Sequence, residues 1–229
     1  MIALISIFAT ITGTLVLHRN YRSKQSGLLF LRSKKGNTSP ISIFLSNKIL
    51  GFIIIGLIPG IIVFATLPSG TSMPGLSFEY NWDYWYLLGL PVLITGINYF
   101  LAKNPNIMKS YPEMRFAEWN KTRLAVLVLG WTIYLSAYEF LFRGILFFSI
   151  YQSSGLLVSL IVNVVVYSAT HYAKGKAEMA GAIPFGILLC YASLLTGSFI
   201  LPFLIHLSLA LSTAFFSIHN NPEMKIVRL

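Results

Sequence analysis

The feature that most constrains this sequence is a series of apolar runs, most of them long enough to cross a lipid bilayer as a helix. Seven such runs can be counted, at residues 2–17, 49–67, 84–102, 124–150, 155–172, 180–196 and 199–217. Charged residues make up 10% of the chain, whereas a soluble domain carries about 25%. The sequence therefore predicts an all-α, polytopic transmembrane helical bundle of about seven spans and excludes a soluble domain.

The basic residues indicate how this bundle is oriented. They cluster in the connections 19–48 and 103–123, after the fifth run and at the C-terminal end, while the intervening connections have none. Because basic loops stay in the cytoplasm, we predict a multi-pass protein of the cell membrane with its N-terminus outside and its C-terminus cytoplasmic. The net charge of +10 then reflects topology and contact with the lipid bilayer, and no nucleic-acid partner is expected.

The N-terminal part of the chain carries two further expectations. The run 2–17 has neither a basic segment before it nor a small-residue cleavage site after it, which favours a retained helix over a cleaved signal peptide. The segment Arg19–Lys35 mixes basic and apolar residues, a pattern that is typical of contact with anionic lipid headgroups.

Two charged side chains stand inside the apolar runs. Glu139 is the only acidic residue in any run, and Arg143 is the only basic residue in the middle of one. An isolated charge at the centre of a bilayer costs about 2.5 to 3.5 kcal/mol, so both side chains are expected to face protein or water. Residues four apart lie on one face of a helix, which predicts an ion pair between Glu139 and Arg143. Such a pair is also compatible with a purely structural role.

Two histidines lie in similarly apolar surroundings, His171 at the end of the fifth run and His206 within the seventh. One carboxylate, one guanidinium and two imidazoles provide a base, an anion stabiliser and hydrogen-bond donors, the set that hydrolysis by an activated water requires. A carboxylate with two imidazoles is also a known zinc ligand set, although the HExxH spacing is not present.

Glu178 is a second candidate for the catalytic base. If the chain after His171 is helical, Lys174 and Glu178 share one face with His171, at successive offsets of three and four residues. Glu178 would then enter the site. The same residues are equally consistent with a solvated cytoplasmic connection.

These residues resemble the CAAX-protease and bacteriocin-processing (abortive-infection) family of intramembrane glutamic endopeptidases. That family has three motifs on different helices: Glu-Glu-x-x-x-Arg, aromatic-x-x-x-His, and His-x-x-x-Asn or Asp. Here they read YEFLFRG at residues 138–144, YSATH at 167–171 and HLSLA at 206–210. The resemblance implies a metal-independent membrane protease without a cofactor, acting on a membrane-associated protein or peptide.

Two positions depart from the family pattern. The first glutamate of the first motif, which activates water in the family, is Tyr138 here, and the amide or acid of the third motif is Ala210. The sequence is most similar to a branch with a single glutamate in the first motif and an extended second motif, here HYAKGKAE at residues 171–178.

The residues and the resemblance together predict a division of roles. Glu139 deprotonates a water molecule while Arg143 holds the carboxylate in place. His171 positions the water or shuttles its proton, and His206 stabilises the oxyanion. His171 lies near the cytoplasmic end of its run, whereas Glu139 and His206 lie near the middle of theirs. Their convergence requires either a cavity that opens inward or a fifth helix that extends past Lys174.

Two other functions remain open from the sequence. Tyr138 and Ala210 favour a catalytically inactive relative that serves as a membrane binding or assembly protein. Ionisable groups in a membrane also mark transport pathways, so Glu139 and Arg143 are compatible with a small ion-coupled transporter.

The chain is predicted to divide into three parts. Residues 1–122 form an N-terminal transmembrane region with three spans and a basic cytoplasmic loop, residues 123–217 form the catalytic core of four spans, and residues 218–229 form a cytoplasmic tail.

Overall fold

A computed structural model of the chain describes residues 39–67, 75–76 and 81–227, so the predicted run 2–17 and the segment Arg19–Lys35 lie outside the described residues. The helices are α1 (Pro40–Thr66), α2 (Trp82–Leu101), α3 (Pro105–Ser110), α4 (Lys121–Glu139), α5 (Phe147–Thr170), α6 (Lys176–Thr196) and α7 (Ile200–Asn220). A π-helical segment, Phe140–Leu146, joins α4 to α5, and strands β1 (Glu118–Trp119) and β2 (Lys225–Ile226) pair in parallel. The all-α helical bundle is confirmed.

Helix starts follow from local capping. The side chain of Asn120 accepts a hydrogen bond from the backbone N–H of Arg123 at 2.9 Å, which satisfies one free donor at the start of α4. Ser39 accepts from the backbone N–H of Ser42 in the same way, and Pro40 supplies the fixed φ that suits a first helical position.

Five helical runs in the described residues are long and apolar enough to cross a membrane. The longest, Lys121–Thr170, reverses direction at Gly155, where φ is +80° and only glycine fits without strain. Helix α5 therefore has two parts, one before Gly155 that continues from α4 and one after it that runs back beside α4. Asn163 Nδ2 lies 2.7 Å from the carbonyl oxygen of Phe142, although 21 residues of straight helix would separate them by about 31 Å. The runs 124–150 and 155–172 are therefore antiparallel helices. The total of seven spans and the orientation stay predictions.

Helix α4 is central to the described bundle. It packs against α1 on one side and α7 on another, while α5 packs on α6, α6 on α7, and α2 on α7. A side chain at Gly56 of α1 would overlap Ala137 of α4, so the glycine permits close approach of the two helices. Glu139, at the end of α4, is consequently surrounded by protein.

Candidate functional site

The centre of the site is the carboxylate of Glu139, which contacts a cation and an imidazole. Its Oε2 lies 3.0 Å from Nη1 of Arg143, and its Oε1 lies 2.6 Å from Nδ1 of His206 on α7. Glu139 and Arg143 are 0% exposed and His206 is 9% exposed. The predicted ion pair at i and i+4 is thus present, and one side chain from a distant helix completes a buried cluster of three.

The cluster lies where α4 passes into the π-helical segment. The wider turn changes the carbonyl pattern, and two neighbouring helices supply donors: Asn163 Nδ2 donates to Phe142 O at 2.7 Å, and Ser193 Oγ donates to Arg143 O at 3.3 Å. Single π turns are frequent at functional sites, although α1 also contains one at Phe52–Leu57, and inside a membrane their carbonyls must be satisfied by protein. Asn163 and Ser193 therefore fix the backbone that carries Arg143.

The ion pair with Glu139 involves one nitrogen of the Arg143 guanidinium, Nη1. Its Cζ lies 4.3 Å from the centre of the Tyr167 ring, a cation–π distance. Nε, Nη1 and Nη2 are buried and have no hydrogen-bond partner among the described residues, and neither has Glu139 Oε2, so the 3.0 Å contact is an ion pair without a hydrogen bond. The geometry therefore leaves unpaired N–H donors beside the carboxylate, in an interior where such donors strongly favour a polar partner.

His171 follows directly after α5, and its tautomer can be derived from its contacts. Nδ1 lies 2.9 Å from the backbone oxygen of Tyr167. A carbonyl oxygen only accepts hydrogen bonds, so Nδ1 carries the hydrogen and donates it. The other ring nitrogen, Nε2, therefore keeps its lone pair and is available to accept a proton.

Both imidazoles pack on the same tyrosine. The Tyr167 ring centre lies 4.7 Å from that of His171 and 6.1 Å from that of His206. Among the residues the structure describes, no hydrogen bond joins His171 directly to Glu139 or His206. His171 thus packs on Tyr167 beside the buried cluster and is not hydrogen-bonded to the carboxylate of Glu139.

The depth of His171 matches that of the cluster. Thr170, the last residue of α5, has its Oγ1 2.7 Å from the hydroxyl of Tyr138, which stands 17 residues after Lys121 and about 26 Å along α4. Helix α5 therefore ends level with the C-terminal end of α4, where Glu139 lies. Because α5 ends at Thr170, the next residue, His171, lies level with Glu139 along the bundle. The fifth helix does not have to extend past Lys174 for the two residues to converge.

The second candidate base lies elsewhere. Both carboxylate oxygens of Glu178 accept from the hydroxyl of Tyr111, at 3.1 and 3.2 Å, and Lys174 Nζ is 4.0 Å from one of them. The chain after His171 is not one continuous helix, because a 3-10 turn and a non-helical Gly175 precede α6. The expected shared helical face is therefore not formed: Lys174 and Glu178 approach to 4.0 Å across the break at Gly175 and face the connection before β1.

The two departures from the family pattern occupy contrasting surroundings. Tyr138 is 6% exposed, stacks on Phe142 at 4.5 Å between ring centres and lies 5.8 Å from the ring of His206. Ala210 lies one turn after His206 on the same helix and supplies no polar group. The site therefore has an aromatic hydroxyl at the first position and nothing comparable at the second.

Tyr167 is the aromatic residue of the second motif, but three residues that support the structure around the site were not singled out from the sequence: Asn163, Thr170 and Asn98. Asn98 of α2 is buried and donates to Ser212 Oγ at 2.8 Å and to Thr213 Oγ1 at 2.7 Å, which joins α2 to α7. The available signal was a single amide within an apolar run, because a buried amide needs partners in a neighbouring helix.

The arrangement of ligand side chains bears on the zinc alternative. Within residues 39–67, 75–76 and 81–227, no three His, Cys, Asp or Glu side chains lie close enough together to hold a metal ion. The geometry therefore gives no support to the zinc alternative of Glu139, His171 and His206.

Comparison with known proteins bears on this part of the chain. Residues 118–212 match the family model described as type II CAAX prenyl endopeptidase Rce1-like, and the match includes Glu139, Arg143, His171 and His206. No curated protein and no solved structure matches the chain. The Rce1-like family is a family of membrane proteases, so the resemblance drawn from the three motifs is confirmed at this level, while the branch with a single glutamate stays a prediction. Residues 118–212 of this chain belong to the Rce1-like family of CAAX prenyl endopeptidases.

Proposed function

We propose that this protein is an intramembrane endopeptidase of the cell membrane that hydrolyses a peptide bond in a membrane-associated protein or peptide without a metal or cofactor. The observation that carries the proposal is the buried contact of 2.6 Å between Glu139 and His206, within a family of membrane proteases. Burying the Glu139 carboxylate and the His206 imidazole costs free energy of desolvation, so a contact of this kind is unusual where only helix packing is required.

His171 is the proposed base. Its Nδ1–H is committed to Tyr167 O, so Nε2 is a free lone pair on a side chain that is only partly buried. Nε2 takes a proton from water as the water oxygen attacks the peptide carbonyl carbon. When the tetrahedral intermediate collapses and the C–N bond breaks, the same nitrogen returns the proton to the leaving amine.

His206 is the proposed stabiliser of the oxyanion. Burial disfavours the charged form of His206, and Glu139 at 2.6 Å from Nδ1 opposes that effect. When His206 is protonated, its Nε2–H donates to the negative oxygen of the intermediate. Arg143 holds the carboxylate from its other oxygen. The motif-based scheme gave the water proton to Glu139; we assign it to His171 because Glu139 is fully buried, its Oε1 is hydrogen-bonded to His206 and its charge is paired with Arg143.

The first experiment identifies a substrate and then removes each imidazole. The substrate is the species left unprocessed when membrane proteomes of cells with and without this protein are compared; farnesylated peptides ending in Cys-a-a-X are a second probe, chosen from the family description. We expect His171→Ala and His206→Ala to abolish cleavage by the purified protein. Tyr134→Phe, a change one turn from the site, is the matched control. Wild-type rates in both histidine variants would contradict the proposal.

A second function is favoured by one observation: Tyr138 stands in place of the family's first glutamate and Ala210 in place of its amide or acid. If the chain is an inactive relative that binds or assembles membrane proteins, only the restored variant Tyr138→Glu/Ala210→Asn will cleave the substrate. Cleavage by the wild-type chain that depends on His171 and His206 would eliminate this alternative.

A further inference from the structure

One face of the second part of α5 carries Asn163, Tyr167 and His171, which follow one another at intervals of four residues. Residues four apart lie on the same face of a helix, and His171, which directly follows α5, keeps a right-handed helical backbone conformation. The distance from Asn163 to His171 along the helix axis is about 12 Å. A single helical face therefore leads from the π-helical segment to the proposed base.

The side-chain amide of Asn163 has a partner at each of its two ends. Its Nδ2 donates to the backbone oxygen of Phe142 at 2.7 Å, and its Oδ1 accepts a hydrogen bond from the thiol of Cys190 on α6 at 3.2 Å. Asn163 and Cys190 are both fully buried. Because buried polar groups require partners, this amide is held in one orientation, and it joins α5, α6 and the π-helical segment at one point.

The hydrogen bond to Phe142 depends on the π-helical geometry. Phe142 O accepts from the backbone N–H of Phe147, five residues later, whereas an α-helical turn would pair it with the N–H of Leu146. A carbonyl oxygen has two lone pairs, and Asn163 binds the second one. A return to α-helical pairing would shift this oxygen and leave a buried amide without its acceptor, which costs free energy in a membrane interior. Asn163 therefore stabilises the π turn and, with it, the peptide group that precedes Arg143.

The position of His171 relative to the buried cluster depends on how α5 lies against the π-helical segment. Among the residues that the structure describes, His171 makes no direct hydrogen bond to a member of that cluster. The bond from Asn163 joins α5 to the π-helical segment directly before Arg143. One turn further along α5, Tyr167 packs on His171 and lies over the guanidinium of Arg143. The same face of α5 thus contacts the main chain beside Arg143, its side chain and the proposed base.

We propose that Asn163 is a positioning residue: by joining α5 to the π-helical segment through Phe142 O, it holds His171 at the depth of Glu139 and Arg143. This inference rests on the proposed function, because it concerns the alignment of the base with the rest of that same site. The base follows α5, whereas the charged pair belongs to α4 and the π-helical segment. A displacement of α5 therefore changes the geometry of the reaction, and a misplacement of about 1 Å lowers a rate on the order of 100-fold.

The first test removes the amide donor and keeps the volume of the side chain. Asn163→Leu has nearly the shape of asparagine but cannot donate to Phe142 O, and Asn163→Ser is a second variant whose hydroxyl can bond within its own helix. We expect kcat to fall roughly 10-fold to 100-fold in both variants and KM to change less than about threefold, because alignment is lost while the binding surface stays.

Ser159→Ala is the matched control. Ser159 is fully buried one turn before Asn163 on α5, and its hydroxyl donates to the backbone oxygen of Leu156 in the same helix. The change removes a buried polar group from α5 without touching the π-helical segment, so we expect a kcat within about twofold of the wild type.

An isotope-labelling measurement reports the hydrogen bond itself and does not need activity. Phe142 and Arg143 form the one Phe-Arg pair in the sequence. Protein with ¹³C-carbonyl phenylalanine and ¹⁵N-arginine therefore gives a single signal in an NMR spectrum that selects directly bonded ¹³C and ¹⁵N. We expect the Phe142 carbonyl signal to move upfield in both Asn163 variants, because the carbonyl loses a hydrogen bond, and to stay in place in Ser159→Ala. Thermal unfolding in detergent shows whether each variant is folded.

Three results would overturn the inference: a Phe142 carbonyl signal that does not move in the Asn163 variants, a wild-type kcat in folded Asn163 variants, or an equal loss of kcat in Ser159→Ala. A loss in Tyr138→Phe as large as that in Asn163→Leu would also overturn it, because the alignment would then depend on the contact of Tyr138 with Thr170. If the wild type cleaves no substrate, the proposed function fails, while the carbonyl signal still decides whether Asn163 holds the π-helical segment.

Discussion

The described residues contain two polar clusters built from the same kinds of side chain. The buried cluster is Glu139, Arg143 and His206. The second, which we call the junction cluster, comprises Lys48, Tyr111, Glu113, Lys174 and Glu178 and lies beside Trp131 of α4. The buried cluster joins two helices and leaves guanidinium N–H groups unpaired, whereas the junction cluster joins four segments and opposes each charge with its opposite.

The difference separates two uses of charge in a membrane protein. In the junction cluster Lys48 Nζ lies 2.8 Å from Glu113 and 3.3 Å from the centre of the Trp131 ring, so burial of the amine is balanced by an ion pair and a cation–π contact. A fully buried ion pair adds little stability over apolar residues of the same shape. We therefore expect the junction cluster to act on stability and the buried cluster to act on function.

The largest expected effect comes from Glu139→Gln. The amide keeps the shape but removes the negative charge that holds His206 and balances Arg143. We expect cleavage to fall on the order of 100-fold to 1,000-fold and the free energy of unfolding to fall by about 3 to 5 kcal/mol, because Arg143 is left as an unpaired buried charge. Thermal unfolding in detergent and kcat/KM measure the two effects.

The matched control for this change is Glu139→Gln/Arg143→Met. Removing both charges should restore most of the stability, while cleavage stays low. Activity in the double variant close to that of the wild type would mean that the pair serves packing alone, and the contrast between the two clusters would be lost.

The second effect in size is expected from Lys48→Met. The change leaves Glu113, which is 20% exposed at its side chain, without its closest partner. We expect a loss of about 1.5 to 3 kcal/mol in the free energy of unfolding, with kcat altered less than about threefold. The variant Lys48→Met/Glu113→Gln should recover part of the loss. A loss of kcat as large as that in Glu139→Gln would place the junction cluster in the catalytic machinery.

The fold was predictable because span length and apolar composition are strong signals. The runs 84–102 and 199–217 correspond to α2 and α7 within three residues at each end. The run 49–67 missed the start of its helix by nine residues, because α1 begins at Pro40 and includes Lys48. A charged lysine lowers the mean hydropathy of the window, so the predicted run begins only after Lys48. Only the three-dimensional structure shows that Lys48 contacts Glu113 and the ring of Trp131 inside the bundle.

The residues of the site were predictable from the sequence, whereas most of the contacts between them were not. Spacing alone predicted the ion pair of Glu139 and Arg143, since both lie on one helix. The contact of Glu139 with His206 spans 67 residues, and the π-helical geometry depends on donors from two other helices. Such features arise from tertiary packing, which no local pattern encodes. The division at residues 122 and 123 stays a prediction.

A third, smaller effect concerns acid stability. Burial alone would raise the pKa of Glu113, but Lys48 and Lys174 outweigh it and hold the pKa below its ordinary value. The stabilisation is then present above the ordinary carboxyl pKa and is lost as the pH falls through the lowered one. We expect the wild type to lose roughly 2 to 4 °C more than Glu113→Gln in thermal unfolding between pH 7 and that acidic range. Equal acid losses in both proteins would remove Glu113 from this role.

The smallest effect is expected from Glu178→Gln, which tests whether Glu178, the second candidate base predicted from the sequence, takes part in catalysis. Burial raises the pKa of Tyr111 to about 12, so its hydroxyl stays protonated and donates to Glu178. Glutamine keeps an acceptor for that hydroxyl, and Lys174 at 4.0 Å is a weak, partly exposed partner, so we expect less than about 1 kcal/mol in stability and a kcat within about twofold of the wild type. Tyr111→Phe is the control, because it breaks the same contact from the other side. A hundredfold loss in Glu178→Gln with normal activity in Tyr111→Phe would make Glu178 the base, and catalysis would then belong to the junction cluster.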